Sequence, residues 1–260
     1  MRHRLRVIAG GRRGRAAPIP PHPSAAYNPG RFPPTRALKI LALDTSTDYC
    51  STALLLDGDL RSDDVCAVQK HSELLLPMVD RLLNDAGIAL DQLDGIAFGA
   101  GPGSFTGLRI ACAVAQGLAF GADKQVLPVS TLLALAHATG AERVVAALDA
   151  RMNEVYLGAY ERDGDGWRTV IEPCLHAPDM APELYGRGWT AVGSGFAVRD
   201  GALARACGDQ LRHIDVLRYP RAADIACLAA PLFARGFGVA PDEAAPLYVR
   251  DKVALKVSER

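Results

Sequence analysis

No two of the six cysteines (Cys50, Cys66, Cys112, Cys174, Cys207, Cys227) stand in CxxC spacing, so the chain offers neither a zinc knuckle nor a dithiol redox motif. Scattered thiols in 260 residues fit a reduced, cytoplasmic setting better than a disulfide framework. The six histidines form no HxxxH or HExxH pair, which excludes a zinc or iron site built from one helix face. Gly-Lys-Ser/Thr does not occur, so there is no Walker A loop. Ser104 and Ser194 lack the glycine two residues ahead that a hydrolase elbow requires. Long apolar runs are also missing. The longest stretch without Asp, Glu, Lys or Arg, residues 125–141, is broken by Pro128, Ser130, Thr131, His137 and Gly140, and no transmembrane helix is predicted.

What is present is an ordinary globular composition, 49% apolar and 22% charged, with zero formal net charge. That zero hides an asymmetry. Residues 1–36 hold eight of the 29 basic residues, seven prolines and no acid, which reads as a solvated Arg/Pro-rich extension. The remaining 21 bases stand against 29 acids, a net charge of −8 that repels nucleic acid at long range.

Order is predicted from Leu38. Residues 38–43 read as a strand ending at Asp44-Thr45-Ser46-Thr47, 51–56 as its hairpin partner, and a third strand lies within 60–68. A helix runs from Ser72 to Asn84 with Gly87 past its end and a kink expected at Pro77; His71 and Glu73 read as its solvated start. Residues 95–98, 125–128, 144–148, 155–160 and 189–193 are further strands, and 106–120, 131–138 and 221–235 further helices. The second helix is apolar nearly all round, so it must be covered on two sides. Ala42-Leu43-Asp44-Thr45 recurs as Ala147-Leu148-Asp149-Ala150, each closing one strand and preceding another. This predicts a duplicated α/β unit with lobes at 37–140 and 141–260.

Two features could carry chemistry. The glycine-rich turn 99–107 joins a strand to a helix, and Gly101 and Gly103 free its backbone for close approach, which makes it either an anion site at the helix end or a tight structural connection. Asp44 and Asp149 close two strands that face one cleft if the lobes are duplicates, where acids can hold Mg²⁺ beside phosphates or merely cap their turns. The turns after them are poor in glycine, which bars close approach of a phosphate.

Together Ile40-Leu41-Ala42-Leu43-Asp44-Thr45-Ser46-Thr47, His71-Ser72-Glu73-Leu74-Leu75, Gly101-Pro102-Gly103-Ser104-Phe105-Thr106-Gly107-Leu108-Arg109 and Asp149-Ala150-Arg151-Met152 resemble the bacterial TsaB (YeaZ) family, with Pro246-x-Tyr248-Val249-Arg250 a looser match. The resemblance implies a two-lobed actin-like/Hsp70-like (ASKHA) fold. It also implies a non-catalytic partner in forming N6-threonylcarbamoyladenosine at position 37 of tRNAs reading codons that begin with A. Implied partners are a TsaD-type transferase as heterodimer and a TsaE-type ATPase, with tRNA met only through the complex and a homodimer when alone. The metal-binding histidines of the catalytic paralogue correspond here to Thr131 and Leu135, so no metal is expected. No cofactor is expected beyond weak adenine-nucleotide binding at Asp44, Thr45, Gly101, Gly103 and Ser104. The expected interface is Leu74, Leu75, Met78, Val79 and Leu82 on the first helix and Leu108, Ala111, Cys112, Ala115 and Leu118 on the second. The alternative is an actin-like ATP-dependent phosphotransferase or metallopeptidase acting alone.

Overall fold

The computed structural model describes residues 38–250; the Arg/Pro-rich extension predicted at 1–36 lies outside them. Two five-stranded mixed sheets carry the fold. In the first, β1 (Lys39–Asp44), β2 (Tyr49–Leu56) and β3 (Asp59–Cys66) form an antiparallel meander, and β4 (Gly95–Gly101) and β5 (Gln125–Ser130) add in parallel on the other side of β1. The order is β3-β2-β1-β4-β5. The second sheet repeats it with β6 (Arg143–Asp149), β7 (Val155–Asp163), β8 (Gly166–His176), β9 (Trp189–Val192) and β10 (Leu211–Asp215), ordered β10-β9-β6-β7-β8 with the same parallel and antiparallel pairings. The four-residue echo therefore marks a true structural repeat. Asp44 ends β1 where Asp149 ends β6.

β1 is covered on both faces, which is why it reads as an unbroken apolar run rather than an alternation. Leu41 and Leu43 face a core shared with α1 (His71–Ala86) and α2 (Phe105–Ala122), and Ile40 and Ala42 face the opposite core. α1 runs unbroken through Pro77 and ends at Gly87, whose φ of 67° suits a glycine. Its start is solvated at Ser72 and Glu73 as expected, but His71 is buried. α2 is long and apolar enough to cross a membrane by length and composition. Here its Leu108, Ala111, Cys112, Ala115 and Ala119 lie in the core, and it shares the N-lobe sheet with α1.

The lobe boundary differs from the sequence expectation. The short helix α3 (Thr131–His137) lies between the sheets: Leu132, Leu135 and Ala136 pack against Val144, Ala146 and Val192 of the second, while Ala134 joins Leu127 and Val129 in the core of the first. After α4 (Ala202–Cys207), helix α5 (Ala222–Ala234) follows the second sheet but returns to the first, where Ala222, Ile225, Ala226 and Ala229 cover Ile40, Ala42, Ala53 and Ala97. Residues 141–250 are thus not all C-lobe. Arg221 fixes the return by pairing with Asp64 (2.5 Å), which in turn accepts from the Ser51 hydroxyl. The Ala222 N–H donates to the same hydroxyl (2.8 Å).

Candidate functional site: the cleft between the lobes

The equivalent ends of β1 and β6 meet across one cleft of about 460 Å³, with Ser46, Thr47, Asp48 and the turn 103–106 on one wall and Asp149, Ala150, Arg151, Met152, Tyr156, Ser194 and Arg250 on the other. Of the residues expected to bind an anion, Gly103 and Ser104 line it. Asp44, Thr45 and Gly101 stand behind the wall, fully or almost fully buried.

Each is turned into the protein by a specific partner. Asp44 Oδ1 accepts from the Ser46 amide (3.0 Å) and hydroxyl (2.8 Å), a turn cap at the strand end. Its Oδ2 points at Gly99, where a Cβ would lie 1.8 Å away. Burial pushes the Asp44 carboxyl up to about 7, against the lowering effect of the Ser46 hydrogen bonds. The Thr45 hydroxyl donates to Gly107 O (2.7 Å), and the Ser104 amide donates to Ser46 O (2.7 Å). Ser104 Oγ caps α2 by accepting from the Gly107 amide (3.3 Å).

The glycines of the turn are explained by this stitching. A Cβ on Gly103 would lie 2.5 Å from Ser46 O, one on Gly107 1.8 Å from Thr45 O, and one on Gly101 2.7 Å from Leu247 O. The backbone they free is approached by neighbouring chain, so the turn is a packing joint.

On the opposite wall Asp149 also serves its own loop. Its Oδ1 accepts from the Arg151 amide (2.7 Å), and its own amide donates to Ser194 Oγ (3.1 Å). Arg151, Met152 and Asn153 are consecutive residues at φ of 62°, 56° and 60°, a conformation that costs a side-chain-bearing residue free energy. Arg250 braces this loop, a role its place in the sequence could not reveal.

Thr131 and Leu135 are buried, Thr131 donating from its hydroxyl to Pro102 O (2.5 Å) and Leu135 packing on the second sheet. Neither offers a metal ligand. Among the described residues no three His, Cys, Asp or Glu side chains gather into a metal site.

The expected interface needs the clearest correction. Leu75, Met78, Val79, Leu82, Leu108, Ala111, Cys112 and Ala115 are core residues beneath their helices, and Leu74 and Leu118 are only half-buried at the margin. The outward apolar side chains are Leu76 (48% exposed) on α1 and Phe120 (83%) on α2. The error is one of phase: the sequence shows apolar residues around most of each helix, and only the contact with the sheet decides which face is spare.

Two sheets of one strand order, helices shared between them and a central cleft define a two-lobed actin-like (ASKHA) α/β protein. The family profile described as "TsaD: tRNA N6-adenosine threonylcarbamoyltransferase" matches residues 65–256. The chain is 40% identical over 228 residues to the Escherichia coli protein named tRNA threonylcarbamoyladenosine biosynthesis protein TsaB, covering 84% of this chain and 97% of that one. It is 39% identical over 232 residues to the Haemophilus influenzae protein of the same name, covering 84% and 96%. A solved Pseudomonas aeruginosa structure, described as an uncharacterized protein with similarity to peptidase YEAZ, superposes with a TM-score of 0.77 at 40% identity, covering 82% of this chain and all of that one. The chain belongs to the TsaB family.

Proposed function

We propose that this protein is a non-catalytic partner subunit in the formation of N6-threonylcarbamoyladenosine at position 37 of tRNAs that read codons beginning with A. It dimerises with and activates a TsaD-type transferase, takes a TsaE-type ATPase as further partner, and meets tRNA only in the complex, in the cytoplasm. ATP and metal belong to the partners, and at most weak adenine-nucleotide binding persists in the cleft. The names and coverage of the relatives support the pathway. The observation that carries the non-catalytic part is the use made of Gly101, Gly103 and Gly107: their open space is filled by Leu247, Ser46 and Thr45, not left for a phosphate. The body's net charge of −8 favours contact with tRNA through a partner.

Association is assigned to the outward faces of α1 and α2, where Leu76 and Phe120 stand exposed. Light-scattering mass after gel filtration tests this on the protein alone and mixed with the TsaD-type paralogue of the same cell. The expected masses are a homodimer and then a heterodimer, both lost in a Leu76→Asp, Phe120→Asp double variant. A monomer that ignores the paralogue would overturn the reading.

A further inference from the structure

The motif Pro246-Leu247-Tyr248-Val249-Arg250 does more than fill the space beside Gly101, for its side chains hold both lobes. The chain leaves the 3₁₀ turn Pro241–Glu243 along α2, where Ala244 O accepts from Gln116 Nε2 (3.0 Å) and Cys112 Sγ (3.6 Å). The Leu247 amide donates to Ala100 O (2.7 Å) at the end of β4. The Tyr248 hydroxyl accepts from Arg109 Nε (3.0 Å), and its ring lies 5.4 Å from that of Phe105, over which the Arg109 guanidinium sits at 3.8 Å. All of these anchors belong to the N-lobe.

Two residues later the partners belong to the C-lobe. Arg250 Nη2 donates to Ala150 O (3.1 Å) and pairs with Glu154 (2.6 Å), and Nη1 approaches Met152 Sδ (3.2 Å). The Arg250 side chain is only 14% exposed, so this fork is largely withdrawn from water and from salt screening. Its partners flank the three left-handed residues 151–153, a strained run that persists only where its surroundings over-determine it. From Tyr248 to Arg250 the chain can span at most about 7 Å fully extended. The cleft can therefore open on this side only as far as that short segment and the Arg250 side chain extend before one anchor or the other breaks.

We propose that residues 244–250 are an interlobe latch: Tyr248 and Leu247 fix it to the N-lobe, Arg250 fixes it to the C-lobe, and together they set the width of the cleft and hold loop 151–153 in its left-handed form. The test is hydrogen-exchange mass spectrometry on the full chain and on Arg250→Ala, Arg250→Lys and Tyr248→Ala. Arg250→Ala speeds exchange in peptides covering residues 149–155 on the order of tenfold, the loss of roughly one charge-assisted contact. Arg250→Lys, which keeps the charge but not the fork, falls between. The deciding variant is Tyr248→Ala: its hydrogen bond and ring contacts are with Arg109 and Phe105 of the N-lobe, yet a latch requires exchange at 149–155 to rise in it too. Unchanged protection of β1 and β4 in every variant shows that the fold is intact. Exchange at 149–155 that ignores Arg250→Ala, or that responds to Arg250→Ala and not to Tyr248→Ala, would reduce the strap to a local brace and overturn the proposal.

Discussion

Asp44 shows how much one side chain can be asked to tolerate. It is fully buried, one oxygen capped by Ser46 and the other pressed toward Gly99, and burial lifts its carboxyl from the ordinary 3.8 to about 7. The folded protein therefore holds this proton more tightly than the unfolded chain does. The stabilisation is complete below about pH 4 and is lost as pH rises through about 7, up to ~4 kcal/mol across the window. Chemical denaturation at pH 5 and pH 8 is expected to show the wild type more stable at the lower value. Asp44→Asn, which cannot ionise, is expected to flatten that difference; a slope that survives the substitution would assign it to another group. The sequence marked Asp44 as a site candidate, because an acid at a strand end can face a ligand or its own turn with the same neighbours. Only the position of Ser46 and Gly99 separates the two.

At the scale of elements, what was legible followed from burial on both faces or from firm punctuation. β1, β4 and β6 are continuous apolar runs because both sides are covered, and α1 ends at Gly87 because the chain turns left-handed there. β8 and β10 carried no such signal: one is half-buried along its length and contains Pro173, the other is a mostly exposed edge, so neither needs an apolar pattern. The register of the helices was equally hidden, and adjacent leucines on α1 test it. Leu75→Asp places a carboxylate in a core where Leu75 is wholly buried and is expected to cost on the order of 4 kcal/mol by urea unfolding. Leu76→Asp, on the open face, is expected to change stability by less than about 0.5 kcal/mol when unfolding is followed at a concentration low enough to keep the chain monomeric. The glycine turn gives a second test. In Gly107→Ala the new methyl meets the Thr45 carbonyl, a backbone atom with nowhere to go, and the expected loss is about 2 to 3 kcal/mol, or a Tm lower by roughly 5 to 10 °C. An unchanged Tm would mean that loop 44–47 and α2 are not stitched together as described.

The whole molecule is more interdependent than its repeat suggests. Duplication makes two lobes that could each stand alone, but α3 contributes to the cores of both sheets, and α5, which follows the second sheet, covers the face of β1 and β2 in the first. Without α5, the buried faces of Ile40, Ala42, Ala53 and Ala97 would meet water. The link is polar as well as apolar, since Arg221 pairs with Asp64 and His137 of α3 sits 2.9 Å from Asp224 of α5. The latch at 244–250 adds a further crossing. These exchanges predict one cooperative thermal transition for the intact chain, with the calorimetric and van't Hoff enthalpies in agreement. They also predict that residues 38–140 expressed alone will not reach a native state, because α3 brings only Ala134 to the α5 side of the sheet and most of that face is left open. Such a fragment is expected to bind a hydrophobic dye and show poorly dispersed amide resonances. Adding residues 141–250 as a separate chain should restore dispersion to both halves, because the missing helix of each then arrives with the other. Two resolved transitions in the intact chain, or a well-ordered isolated fragment, would show instead that the exchanged helices decorate two finished domains.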